Sequence, residues 1–176
     1  MQNLQGAKTV CKELGISNEK FNEAIKSFKG AARRLQILKD NNSSCIYFDF
    51  AHSPSKVKAT IDAVKEQYPE RELISIFELH TFSSLKESFL PEYKNTLENA
   101  DKAFVYYSPE TLKHKKLKAI NPEQVLEAFG TENLTVFTIR GELEKKVKEM
   151  NHDNKNFLIM SSGNFSGIDF TEIIDL

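Results

Sequence analysis

Apolar positions along the chain recur with two different periods, and the change from one to the other divides it. Leu4, Ala7, Val10, Cys11 and Leu14 share one helical face, and Gly15 stands where such a helix stops. Ser17 is placed to cap a second helix with Phe21, Ala24, Ile25 and Phe28 on its apolar face and Gly30 after it. Two helices of this size cannot enclose a core, so the pair is expected to pack on something else. From about residue 34 the rhythm shortens. Leu35, Ile37 and the run Cys45-Ile46-Tyr47-Phe48 flank a polar, Asn-rich turn, which predicts a hairpin. Strand-length apolar runs then alternate with helical spacings. Strands are predicted at residues 73–77, 102–107, 134–139 and 157–160. Helices are predicted on Val57, Ile61, Val64 and Tyr68, on Leu85, Phe89, Tyr93 and Leu97 with a break at Pro91, on Val125, Leu126 and Phe129 after Pro122, and on Leu143, Val147 and Met150. A short element is expected at residues 170–176.

Near-continuous apolar strands separated by helices imply an α/β fold: a Rossmann-like, mostly parallel sheet with helices on both faces and an antiparallel hairpin at one edge. The division expected is a helical segment at residues 1–30 and an α/β domain at residues 31–176.

Composition removes several function classes. The chain has 176 residues and a formal net charge of -1, which gives no electrostatic reason to expect a nucleic-acid partner. No apolar run approaches the roughly 20 residues of a membrane span, and residues 1–15 lack the apolar centre of a signal peptide. Cys11 and Cys45 make a poor disulfide framework, and a reduced, cytoplasmic chain is the simpler reading. The run Lys113-His114-Lys115-Lys116-Leu117-Lys118 reads as a solvated face, with an anionic partner as its alternative.

Candidate chemistry lies where strands end, because ligands of open parallel sheets bind at the carboxyl ends of the strands. Asp49-Phe50-Ala51-His52-Ser53-Pro54 sets a carboxylate, an imidazole and a hydroxyl between a buried strand and a helix start. There Asp49 is suited to a sugar hydroxyl and His52 to a phosphate or carboxylate; the structural alternative is that Asp49 or Ser53 caps the helix and His52 packs. Glu78-Leu79-His80-Thr81-Phe82-Ser83-Ser84 repeats the combination after the next strand. Ser161-Ser162-Gly163-Asn164-Phe165-Ser166-Gly167 follows the last, and its glycines let backbone approach a ligand or simply make a turn. There is no G-x-x-x-x-G-K-[ST] loop, no G-x-G-x-x-G after a strand, no zinc-ligand spacing and no G-x-S-x-G elbow.

Four segments, in order, resemble one family. Phe28-Lys29-Gly30-Ala31-Ala32-Arg33-Arg34 resembles the F-x-G-x-x-x-R segment that leads into the C-terminal domain of the Mur ligases. Asp49 to Pro54 resembles the family's D-[YF]-A-H-[TSH]-P loop. Phe77-Glu78-Leu79-His80-Thr81 is similar to the F-E-P-H-T stretch of the murein peptide ligase branch, and residues 160–167 resemble that branch's M-S-x-G-x-F-G-G loop. The resemblance implies the C-terminal domain of an ATP-dependent amide ligase of peptidoglycan synthesis or recycling, joining UDP-N-acetylmuramate to an amino acid or peptide through an acyl phosphate. It implies that residues 1–30 are the tail of a central domain on which this one packs, and that a P-loop lies upstream of Met1. ATP and Mg2+ would be bound mainly by that central domain, and this chain alone would be inactive. By the same carry-over, Arg34 and Asp49 contact the nucleotide, His52 acts catalytically near its phosphates, and His80, Thr81, Ser162, Gly163 and Asn164 face the acceptor amine.

The departures bear on the acceptor. The L-alanine-adding branch carries D-D-[YF]-G-H-H-P, where this chain has Phe48 and Ser53, and arginines after the second-loop histidine, where it has Thr81 and Ser84. Losing those guanidinium partners of a free amino-acid carboxylate favours a peptide acceptor. Leu79 replaces a proline and Ser166 a glycine. An L-alanine ligase domain and a non-catalytic α/β binding module remain the alternatives.

Overall fold

A computed structural model describes residues 2–28 and 30–176. Met1, and Lys29 of the F-x-G segment, lie outside the described residues. The chain divides into two compact units, residues 1–31 and 32–176.

The first unit holds α1 (Gln2–Glu13) and α2 (Asn18–Ile25). Gly15 turns the chain between them at φ 78°, a conformation open to glycine without strain. The Ser17 hydroxyl caps α2 by accepting from the Lys20 N–H, and Phe21 is buried. The helix ends sooner than the spacing predicts: residues 26–28 bond three residues back, and the Ser27 hydroxyl donates to the Ala24 carbonyl. These short-range bonds tighten the last turn and leave Phe28 outside the helix.

The second unit opens with β1 (Gln36–Asp40) and β2 (Cys45–Asp49), paired antiparallel with one irregularity between Ile37 and Lys39. Then come α3 (Pro54–Gln67), β3 (Glu72–Glu78), a 3-10 segment (Glu87–Tyr93), β4 (Lys102–Tyr106), α4 (Pro109–His114), α5 (Pro122–Phe129), β5 (Leu134–Phe137), α6 (Arg140–Lys148), β6 (Lys155–Met160) and α7 (Phe170–Ile173). The six strands run in the order β1-β2-β6-β3-β4-β5, and all pairs except β1–β2 are parallel.

Alternate strand residues face two cores. Tyr47, Leu73, Phe77, Val105, Leu158 and Met160 meet Val57, Ile61 and Val64 of α3 and Val125 and Phe129 of α5. Ile46, Ile74, Ile76, Phe104, Phe157 and Ile159 meet Leu143 and Val147 of α6 and Phe170 of α7. The chain runs outward from β3 to β5 and returns behind the sheet through α6 to place β6 between β2 and β3. Right-handed crossovers moving in opposite directions must use opposite faces, which is why α3 and α6 lie on different sides.

Three local expectations are corrected. Residues 85–97 do not form an α-helix: they make turns and the 3-10 segment, with Pro91, which has no N–H to donate, inside it. β5 stops at Phe137, and Ile139 caps α6 instead of extending the strand. α4, which the apolar spacing did not announce, is carried by Pro109 at its first turn and by the Ser108 hydroxyl, which accepts from the Thr111 N–H.

Candidate functional site

Register sets the site. Met160 pairs with Asp49 on one side and Phe77 on the other, so β2, β6 and β3 end level with one another. At about 4.8 Å per strand, Asp49 and Phe77 lie roughly 10 Å apart across Met160. The chain leaves β2 and β3 towards one face of the sheet and β6 towards the other, which opens the edge at the point where the topology reverses.

At the end of β2, Asp49 is held from both sides. Its Oδ2 accepts from the Leu35 N–H at 2.6 Å and its Oδ1 from the Ala51 N–H at 2.7 Å. Each oxygen keeps a second lone pair, so the carboxylate can still accept from a ligand. Neither Asp49 nor Ser53 caps α3 through its side chain: Ser53 is the N-cap residue but its hydroxyl makes no cap bond. The His52 ring packs edge-on against Phe50 with Nδ1 2.9 Å from the Phe50 carbonyl. A carbonyl only accepts, so Nδ1 bears the proton and Nε2 is left for a ligand. From below, the buried Tyr93 hydroxyl donates to the His52 carbonyl at 2.6 Å.

The ends of β3 and β6 are joined by Glu78, the acid of the second loop, to which the resemblance assigns no role. Glu78 is buried, and its Oε2 accepts from the Ser161 hydroxyl and from the Phe165 N–H at 3.0 Å. Ser161 Oγ in turn accepts from the Gly163 N–H at 2.6 Å, so its single hydrogen goes to Glu78. Glu78 thus ties down the loop at residues 161–165. His80 Nδ1 lies 3.5 Å from the other oxygen of Glu78, and the His80 side chain is a third exposed. A Cβ on Gly163 would fall 2.6 Å from the His80 ring and 2.7 Å from the Glu78 carboxylate. Glycine at 163 is therefore required by close approach; its φ is ordinary.

The loop continues through Phe165 and Ser166, both at positive φ (50° and 54°), and Ser166 stands where the family loop has glycine. Two contacts hold Ser166 in this strained conformation: its hydroxyl bonds the Tyr106 hydroxyl at 2.8 Å, and its carbonyl accepts from Arg140 at 3.0 Å.

Of the residues singled out from sequence, His80 and Gly163 are in contact, and Asp49 and His52 lie on the neighbouring strand end. Thr81 is turned inward: its hydroxyl donates to the Ser84 hydroxyl at 2.9 Å and accepts from the Ser84 N–H. Ser162 is half-buried and Asn164 exposed on the β6 loop. Arg34 is exposed, its guanidinium 5.7 Å from the centre of the Phe50 ring. The arginine that joins the site together is its neighbour Arg33, which lies 4.7 Å over the Phe48 ring and donates to the Gly163 carbonyl at 2.5 Å. A cavity of about 370 Å³ opens beside it, lined by Arg33, Phe48, Asn164, Phe165, Asp169 and Phe170. Arg33 was missed, and Glu78 was seen only as the acid of its loop, because neither residue's partner is known until the β6 loop is placed. Among the described residues no three His, Cys, Asp or Glu side chains converge as metal ligands. No described helix is long and apolar enough to cross a membrane.

An open α/β sheet with three loops converging at its topological reversal is a domain of the Rossmann type, a class in which ligands bind at the strand ends. Residues 33–163 match the family model described as Mur ligase, glutamate ligase domain, and the chain belongs to the Mur ligase family. It is 27% identical over 165 residues to a UDP-N-acetylmuramate–L-alanine ligase of Lactococcus lactis, covering 88% of this chain and 33% of that protein. In structure it is similar to the UDP-N-acetylmuramate–alanine ligase of Thermotoga maritima, with TM-score 0.72, 21% identity and coverage of 93% of this chain and 34% of the other. It is also similar to a domain of a putative UDP-N-acetylmuramate:L-alanyl-γ-D-glutamyl-meso-diaminopimelate ligase of Haemophilus ducreyi, with TM-score 0.57, 25% identity and coverage of 80% of this chain and 97% of the other. The chain spans about a third of the length of the curated relatives it matches, 33% in the Lactococcus case.

Proposed function

We propose that this chain is the nucleotide-closing and acceptor-binding domain of a cytoplasmic ATP-dependent ligase that joins UDP-N-acetylmuramate to a peptide. The observation that carries the reading is the level ending of β2, β6 and β3, which gathers Asp49, His52, His80 and the Gly163 loop on one edge. ATP supplies the phosphoryl group that turns an unreactive carboxylate into an acyl phosphate. Arg34 and the free lone pairs of Asp49 suit a ribose, and His52 Nε2 suits a phosphate oxygen. Ser162, Asn164 and His80 line the side open to the acceptor. Catalysis in such a site comes from positioning and from exclusion of water when a partner domain closes over it. That partner is the chain's own central domain, which also supplies the ligands of Mg2+.

The peptide reading rests on Thr81 and Ser84. Where an L-alanine site would offer guanidinium groups to a free carboxylate, these two hydroxyl side chains satisfy each other. The similarity to L-alanine ligases over most of the chain favours the second reading, free L-alanine as acceptor. The test is ATP-dependent phosphate release by the full-length protein with UDP-N-acetylmuramate, offering L-alanine and L-alanyl-γ-D-glutamyl-diaminopimelate separately. Release with the tripeptide alone supports the first reading, and release with L-alanine alone replaces it with the second. Silence with both overturns the ligase reading.

A further inference from the structure

The Glu78–His80 pair has a use that anchoring a loop does not exhaust. Glu78 has two donors on Oε2, the Ser161 hydroxyl and the Phe165 N–H, and its Oε1 faces His80 Nδ1 at 3.5 Å. Both bonded donors sit on Oε2, so Oε1 keeps its lone pairs for the His80 ring. An accepting oxygen facing Nδ1 favours the tautomer with the proton there, leaving the Nε2 lone pair of a ring that is a third exposed. Gly163 backs this ring so closely that no side chain fits between them, which limits how the ring can turn. A buried carboxylate, an imidazole oriented through one nitrogen and an open second nitrogen form the arrangement of an oriented base. The 3.5 Å separation exceeds a hydrogen bond; such contacts commonly shorten when substrate closes the site.

We propose that His80 is the proton acceptor of amide formation, with Glu78 as its positioning residue. The inference rests on the ligase reading above. The acceptor's neutral amine attacks the acyl carbon and forms the C–N bond. The bond from that carbon to the phosphate oxygen breaks, and phosphate leaves with the electron pair. The new amide nitrogen carries one proton too many; His80 Nε2 takes it, and the imidazolium is stabilised by Glu78 until the proton passes to solvent or to the released phosphate. His80 has no part in forming the acyl phosphate.

The test separates the two half-reactions in the full-length enzyme. ADP formed in a single turnover without acceptor reports the phosphoryl step, and amide formed on adding acceptor reports the second. His80→Ala is expected to leave the first within about threefold and to slow the second at least 100-fold, the usual scale of a lost general base. Added imidazole is expected to restore part of the second step only. Glu78→Gln is expected to slow amide formation in the presence of His80 and to add little in the His80→Ala background, because it acts through the ring. Should Glu78→Gln fail to fold, the His80→Ala half-reactions and the imidazole rescue still decide the matter. An unchanged amide step in His80→Ala, equal loss in both half-reactions, or an amide defect that imidazole does not relieve would overturn the proposal while leaving the ligase reading intact. A wild-type enzyme silent with both acceptors removes the reading and the proposal together.

Discussion

Gly163 and His80 touch so closely that a methyl group on Gly163 would sit 2.6 Å from the imidazole ring, and 2.7 Å from the Glu78 carboxylate beside it. Neither neighbour is the far end of a flexible side chain with room to retreat, since Glu78 is buried and bonded to Ser161 and Phe165. Gly163→Ala is therefore expected to destabilise the domain by about 1–3 kcal/mol, the usual cost of overpacking. Urea unfolding would show it as a lower midpoint at unchanged slope. Gly163 is not at positive φ, so the penalty is one of space. Gly163→Ser should cost at least as much, and trimming His80 to Ala should relieve part of the Gly163→Ala defect.

Two buried serines in this domain are predicted to behave in opposite ways. The Ser161 hydroxyl donates to Glu78 and accepts from the Gly163 N–H. Ser161→Ala removes both bonds and leaves a buried carboxylate one donor short, at an expected cost of about 1–3 kcal/mol. Ser75, in the middle of β3, is fully buried, and among the described residues its hydroxyl finds no partner. Ser75→Ala deletes a desolvated, unpaired group, so its effect is expected within about 0.5 kcal/mol of zero or stabilising. Parallel chemical denaturation of the two variants checks both at once.

Much of this was legible in the sequence. Apolar spacing located the six strands, the edge hairpin and α3, α5 and α6, because each buries a stripe or a face whose period is set by backbone geometry. Elements fixed by single polar contacts were harder. α4 depends on the Ser108 cap and the Pro109 start, and the turns after Thr81 on hydroxyl bonds within the loop. In the site, His52 and His80 stood out because histidines at strand ends are conspicuous. The roles of Glu78, Ser161 and Arg33 were not legible, since they lie in contacts that span 83 and 130 residues of sequence. Only the return of β6 between β2 and β3 creates those contacts.

At the opposite edge of the sheet, acid should unlock the strand starts. Burial pushes the Glu72 carboxyl up, but hydrogen bonds from Lys102 and Lys155 outweigh it and hold the group below its usual range. Asp101 shows the same balance: burial raises it, and the Leu73 N–H and Lys65 lower it further. A carboxyl depressed in the folded state adds stability that is complete above the unfolded carboxylate range, near pH 4, and is lost as pH falls through the lower folded value. Urea midpoints are therefore expected to be flat from pH 7 to about pH 5 and to fall below that. Glu72→Gln should lower the midpoint at pH 7 and shrink the difference between pH 7 and pH 3.

Tyr93 links the aromatic core to the His52 loop through a hydrogen bond from its hydroxyl. Its ring stacks on Phe129 at 5.1 Å and leans on Phe77 at 5.4 Å, while its hydroxyl donates to the His52 carbonyl at 2.6 Å. Burial pushes the phenol well above its ordinary range, so it remains a donor at any working pH. Tyr93→Phe keeps the stack and deletes the donor, leaving the His52 carbonyl without its protein partner at an expected cost of about 1 kcal/mol. Losing this tether loosens the backbone that sets the His52 ring, whose Nδ1 bonds the Phe50 carbonyl two residues away. On the proposed function, that predicts a several-fold higher KM for ATP in the full-length enzyme; the same hydroxyl also meets the Ser84 side chain of the His80 loop, so the KM for the acceptor is expected to rise with it. Steady-state kinetics with each substrate varied in turn distinguish this from a general loss of folding, which would lower the concentration of active enzyme and leave both KM values where they were.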